Sequence, residues 1–241
     1  MTTKEYNYIM NNDGTFTLEF CEGVKELNDP VFWSMDRIEE RVTQVNIPST
    51  VESINGRFVM DMECLMHFHI SPANKHFTEV DGCVYSADMR KLIAYPPNKA
   101  GCFFEIPSAV EVIAPWAFCC NKHLMCINIG SNVKVIGRRA FDRAYSLEHL
   151  YIDENVSEIE DFFCQCGDFD VYVNVRACVV VAGAAGSAVE RWCRENATFF
   201  LALKDDQVNE FIASPVWTRE IPQFSDEEYL ACWDKRMEYT D

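Results

Sequence analysis

The chain has 241 residues, 49 % of them apolar and 24 % charged, a balance that builds a core and excludes a disordered chain. Its 38 acidic residues against 21 basic ones leave a net charge of −17, which excludes nucleic acid and anionic lipid as natural partners. No stretch reaches the ~20 apolar residues of a membrane helix and the N-terminus lacks the apolar run of a signal peptide, so no membrane insertion and a cytoplasmic location are expected. A chain begun at a processed or truncated end would instead suit the cell surface.

The first segment is written as a hairpin. Tyr6, Tyr8 and Met10 alternate before Asn11-Asn12-Asp13-Gly14, and Phe16, Leu18 and Phe20 alternate after it. The Asp-Gly pair is a strong turn signal. From Phe20 onward Val24, Leu27 and Phe32 follow at four, seven and twelve residues, a spacing that recurs downstream. Residues 1–19 therefore cap the open end of a repeat stack, covering apolar surface and strand edges.

After a longer connection Val42, Val45 and Ile47 supply a strand, and Ile47-Pro48-Ser49-Thr50-Val51-Glu52-Ser53-Ile54 gives the repeated phrase in full. It returns from Ile106 to Ile113, from Ile129 to Ile136 and from Ile152 to Ile159, 23 residues apart over these last three. Between copies a second phrase recurs, Ala117-Phe118 then Leu124, Ile127 and Ile129, matched by Ala140-Phe141 then Leu147, Leu150 and Ile152. Self-similarity at this period means a solenoid whose units bury their apolar faces on one another. The rhythm breaks after Ile70. The residues from about 77 to 100 contain two short β-rich runs flanking Ala87-Asp88-Met89-Arg90, a hairpin expected to stand out of one coil.

The last coil, from Ile152 to about Val173, carries Phe162-Phe163 in the aromatic position. In the cap at 176–203, Ser187 followed by Glu190 is a capping box that starts a two-turn helix, with Asn196 as its stop. The glycine-rich run before it has no Lys-Ser/Thr and does not read as a phosphate loop. Residues 204–241 form an acidic tail with ten acidic and four basic residues and two candidate short helices, 206–213 and 225–237, folding back on the solenoid or docking elsewhere.

The pattern Ile-Pro-Ser-x-Val-x-x-Ile, then Ala-Phe, then Leu-x-x-Ile-x-Ile resembles the BspA-like, or Treponema pallidum type, leucine-rich repeats over about residues 20–200. The insertion, with Asp81-Gly82-Cys83-Val84-Tyr85-Ser86 and Leu92-Ile93-Ala94-Tyr95-Pro96, is similar to one common in bacterial members. The fold class implied is an α/β repeat solenoid: a right-handed leucine-rich-repeat-type coil with one parallel sheet, an N-terminal β-hairpin cap, an inserted β-hairpin and a short C-terminal helical cap. A parallel β-helix is the rival, disfavoured because one strand phrase per coil dominates. The resemblance departs at the position three residues after the Ala-Phe pair, where family repeats often place Cys and this chain has Met62, Asn121 and Ala144, with only Cys166 fitting.

Period-two alternation sends the isoleucines of each Leu-x-x-Ile-x-Ile strand inward and the residues between them outward. Stacking yields two outward columns, Gln44, His67, Phe103, Cys126 and His149 in one and Asn46, His69, Glu105, Asn128 and Tyr151 in the other. The resemblance makes this the concave face commonly used for binding. Aromatic and amide side chains there suit protein contact. Cys126 beside His149 offers a thiol nucleophile with a base, though no third group or oxyanion donor accompanies them. His67 and His69, with Glu105 on the next strand, have the residue types of a metal triad, but two histidines on a solvated strand are usually polar surface, and no metal is expected.

The twelve cysteines lie mostly in apolar phrases, as reduced buried hydrophobes rather than a disulfide framework, and Cys164-Gln165-Cys166 completes no zinc set. No cofactor motif is present and none is expected. The functional expectation is a non-enzymatic module that binds a protein partner through the ten face residues or the hairpin. The alternatives are a surface adhesin or host-contact protein and a cysteine-dependent hydrolase using Cys126 and His149.

Overall fold

A computed structural model describes residues 5–28, 37–144, 146–161, 179–195, 200–204, 207, 208 and 211. Phe32, Phe162, Phe163, Cys164, Cys166, Val173, Asn196 and the candidate helix at 225–237 lie outside them.

Strands β1 (Tyr6–Met10) and β2 (Phe16–Phe20) form the expected antiparallel hairpin, with Tyr6 opposite Phe20. Gly14 takes φ 81° in its turn, a conformation open to glycine without a Cβ clash. The Asp13 carboxylate accepts from the Thr15 hydroxyl and N–H at 2.7 and 3.0 Å, and these bonds hold its carboxyl below the usual range. β2 is also the first rung of the stack. After β3 (Glu26–Leu27), it pairs in parallel with β4 (Val42–Ile47), Leu18 beside Val45, while β3 pairs with β5 (Ser53–Ile54), Leu27 beside Ile54. A coil thus contributes one longer strand and one shorter one, and in the coils of Ile47-Pro48 and Ile106-Pro107 a proline follows the longer strand. Proline has no N–H for a ladder bond and ends the longer strand there.

The coils continue through β6 (His67–Ile70), an insertion of β7 (Phe77–Val80) and β8 (Cys83–Ser86), β9 (Lys91–Ala94), β10 (Phe103–Glu105), β11 (Val112–Ile113), β12 (Cys126–Ile129), β13 (Val135–Ile136), β14 (His149–Ile152), β15 (Glu158–Ile159) and β16 (Val180–Gly183). Helix α1 (Ala188–Glu195) and β17 (Phe200–Ala202) close the described stack. The result is a β-solenoid of about seven turns with mostly parallel sheets. Ile129 lies beside Ile152, and the Ile106 N–H donates to the Asn128 carbonyl at 3.0 Å, which sets Ile106 on the neighbouring rung. Val45 beside Phe68, and Ile127 beside Leu150 and Val181, fill inward positions and are all buried. Each such side chain contributes about 1.5–3 kcal/mol on leaving water.

The inserted hairpin forms but does not stand out of its coil. β7, β8 and β9 make an antiparallel meander whose last strand pairs in parallel with β11, Leu92 beside Ile113, so β9 serves as the short strand of its own coil. Cys83, Val84, Tyr85 and Leu92 are buried because the meander adds its apolar face to the common core. Its tip is driven into the longer-strand sheet. The Phe68 N–H donates to the Gly82 carbonyl at 3.1 Å, and a Cβ on Gly82 (φ 76°) would stand 3.1 Å from that of His67. The expected single sheet is accordingly in two panels, β1-β2-β4-β6 and β10-β12-β14-β16-β17.

The outer turns hold an aromatic ladder. Tyr95, Phe118 and Phe141 come from three successive coils, with ring centroids 5.4 and 5.1 Å apart, and Phe104 meets Tyr95 edge-on at 5.0 Å. From Leu92 to Phe103 the chain runs two residues fewer than from Ile113 to Cys126. That shortening brings the coils on either side together at the rim. Gly56 therefore packs on the Trp116 backbone, where a Cβ would lie 2.5 Å from the carbonyl oxygen. Trp116 in turn lies between the Arg57 and Arg139 guanidiniums, 5.8 and 5.1 Å from its ring. Asn121, at the position where family repeats place cysteine, is buried and bridges coils. Its Nδ2 donates to the carbonyls of Pro96 and Pro97, and its Oδ1 accepts from the N–H groups of His123 and Leu124.

At the far end the Ser187 hydroxyl accepts from the Glu190 N–H at 3.3 Å, as the capping box requires. The Glu190 carboxylate reaches the Gly186 N–H rather than that of Ser187, which donates to Ala184. No helix among the described residues is long and apolar enough to cross a membrane.

Candidate binding face

The outward columns are built, but in two blocks. In the first panel Gln44 lies beside His67 and Asn46 beside His69. In the second Phe103, Cys126 and His149 are aligned, as are Glu105, Asn128 and Tyr151. Neighbours within a block are ~4.8 Å apart along the sheet. His67 and Phe103 are not ladder neighbours, because the Gly82 carbonyl takes the strand position beside β6. The continuous columns expected from repeat spacing are thus corrected at this point. The metal triad is corrected with them, since Glu105 belongs to a different sheet from His67 and His69. No three His, Cys, Asp or Glu side chains among the described residues converge to hold a metal ion.

Polarity and exposure differ along the face. His67 and His69 are exposed, as are Phe103, at 43 %, and Glu105. A hydrogen-bond chain fixes the first block: the His67 imidazole Nε2 lies 2.8 Å from Gln44 Oε1, and Gln44 Nε2 donates to Asn46 Oδ1 at 2.6 Å. In the second block Asn128 Nδ2 reaches Glu105 Oε1 at 3.5 Å, the outer limit of a hydrogen bond. Gln44, Asn46, Asn128 and Tyr151 are half-buried.

Cys126 and His149 depart from the expectation that this whole column meets water. They are 7 % and 5 % exposed. His149 is covered by Phe211 of the C-terminal segment, 3 % exposed, whose ring stands edge-on to the imidazole at 5.2 Å, and Cys126 lies beside His149 on the adjacent strand. Phe211 is buried with Val180 and Ala182, and Tyr151, Leu201 and Leu203 pack against that cluster. Gln207, Val208 and Phe211 are helical, and the rest of the helix expected at 206–213 lies outside the described residues.

Phe211 is the residue that inspection of the repeats misses, although a signal for its cover exists. His149 pairs with Val180 and Tyr151 with Ala182, so both polar columns turn apolar at β16. An unbroken run such as Val179-Val180-Val181-Ala182 marks a strand covered on both faces.

None of the eight described cysteines is in a disulfide. Cys83 and Cys193, neither of them beside another described cysteine in sequence, have thiols pushed up to about 12 chiefly by burial.

Residues 101–172 match the family model of the BspA type leucine-rich repeat region, in six copies. No curated protein matches the chain. Among solved structures, a leucine-rich cell surface protein from Faecalibacterium prausnitzii is similar in fold, with a TM-score of 0.50 and 18 % identity over 83 % of this chain and 63 % of that one. A leucine-rich repeat protein from Eubacterium ventriosum aligns with a TM-score of 0.46 and 22 % identity over 60 % of this chain and 45 % of that one. The chain therefore spans less than two thirds of either.

Proposed function

We propose, from the premise that this chain is a BspA-type leucine-rich repeat protein, that it is a non-enzymatic module which binds a protein partner through the uncovered part of its longer-strand face. The observation that carries this reading is the contrast along one surface. Where the chain's own Phe211 covers the face, the columns turn apolar at Val180 and Ala182 and His149 is buried; where nothing of the described chain covers it, they present His67, His69, Phe103 and Glu105 to water. An exposed phenylalanine with a carboxylate two residues along its strand, and exposed imidazoles on the other panel, is the composition of an interface patch rather than of inert surface. The net charge of −17 favours a partner with a basic contact surface.

Replacing His67, His69, Phe103 and Glu105 together by alanine is expected to abolish capture of a protein that the unaltered chain pulls from extracts of its native organism. All four are exposed, so the melting temperature should hardly change. Capture that persists in the variant rejects this face.

A second reading concerns where the partner is met. The F. prausnitzii neighbour is described as a cell surface protein, and a similar placement here would make the partner extracellular. Protease added to intact cells then degrades the chain; survival until the cells are broken, beside a surface protein that is lost, supports the cytoplasmic placement instead.

A further inference from the structure

The outer turn that follows β11 ends in two adjacent cysteines, Cys119 and Cys120, whose sulfur atoms are 3.3 Å apart. Cys119 is fully buried and Cys120 is 6 % exposed. The juxtaposition follows from repeat geometry. Cys120 is left-handed at φ 59°, and so is Arg143 at the same position one coil on, at φ 55°. The Cys120 N–H donates to the Asp142 carbonyl at 2.9 Å, locking the turn to its neighbour. The turn backbone is thus set by the stack, and the sequence supplies two thiols where the next coil has Asp142 and Arg143.

The chemical environment distinguishes this pair from the other buried cysteines. With the Cys119 thiol donating to the Cys120 sulfur, the hydrogen bond and burial push the Cys119 thiol up. The same bond pulls the Cys120 thiol down, against burial and with help from Arg143. One sulfur is thereby favoured as the nucleophile while the other waits within contact distance.

We propose that Cys119 and Cys120 form a reversible dithiol site that closes to a disulfide between adjacent residues on meeting hydrogen peroxide. The Cys120 thiolate attacks one peroxide oxygen; the S–O bond forms, the O–O bond breaks, and the departing hydroxide takes a proton to become water. The Cys119 sulfur then displaces the sulfenic hydroxyl: the S–S bond forms, the S–O bond breaks, and the Cys119 proton leaves with the hydroxyl as a second water. Two thiols lose two electrons and the peroxide is reduced to two waters. Consecutive Cα atoms are ~3.8 Å apart, short of the ~4.4–6.8 Å that disulfides prefer, so the ring is strained and thiols reopen it readily.

The test uses the full chain with Cys102→Ser, which removes the exposed thiol from the tryptic fragment 100–122. After hydrogen peroxide, quenching and alkylation in denaturant, that fragment should lose two hydrogens in mass and both alkylatable thiols. Dithiothreitol should restore both. Cys83 and Cys193 should remain alkylatable. With Cys119→Ser added, Cys120 should accumulate as sulfinic or sulfonic acid instead. Full alkylation of both cysteines, at a peroxide dose that oxidises Cys102 in the unaltered chain, overturns the proposal. So does direct passage of Cys120 to sulfinic acid while Cys119 is still present.

Discussion

Phe118→Ala is expected to remove about 3–5 kcal/mol of stability, the range for emptying an aromatic site in a packed core. Phe118 is fully buried, stacks on Phe141 with the ring planes 15° apart, and touches both Tyr95 and Phe104. Its position makes the loss more than local. A solenoid holds together through interfaces between neighbouring coils, and Phe118 belongs to the interfaces on both sides of its own. Urea unfolding followed by far-ultraviolet circular dichroism should therefore show a lower midpoint and a broadened or split transition, because the two halves no longer unfold together. Phe103→Ala supplies the contrast: its ring is exposed, and a change within about 0.5 kcal/mol is expected. Similar losses for the two would mean that the ladder does not couple the coils.

The repeat unit was legible because it is a period-two and 23-residue pattern at once. The isoleucines that recur in it occupy corresponding inward positions, and the rungs at Ile106, Ile129 and Ile152 stand side by side. The N-terminal hairpin was legible from local chemistry alone, since Asp13-Gly14 and the alternating apolar residues act within a few residues of one another. The insertion was legible as strands but not in its placement. Nothing local at Asp81-Gly82 announces that its carbonyl will take the rung beside Phe68, because that contact joins residues that the repeat phrase does not align. The candidate face was half legible for the same reason. Alternation names the outward residues correctly, yet whether an outward residue meets water depends on a segment more than sixty residues later, as it does for His149 and Phe211.

Phe211→Ala is expected to uncover the C-terminal half of the face and expose Cys126 to alkylation. Burying a phenylalanine stabilises the covering segment by about 1.5–3 kcal/mol, and every ~1.4 kcal/mol is tenfold in an opening equilibrium. The rate of Cys126 labelling should then rise about 10- to 100-fold, in the regime where reclosing outpaces alkylation. Cys193, buried elsewhere in the described structure, should not respond. The solenoid should stay folded, since Phe211 joins a small satellite cluster and not the inter-coil ladder. The same measurement weighs the two readings of Cys126 beside His149. If the uncovered Cys126 labels no faster than the exposed Cys102, its position in the outward column is structural and the binding reading stands. If it labels far faster near neutral pH, the imidazole on the adjacent strand is activating it, and a thiol-dependent reaction sheltered by the chain's own tail becomes the better account. An unchanged Cys126 rate would show that Phe211 does not govern access to this half of the face.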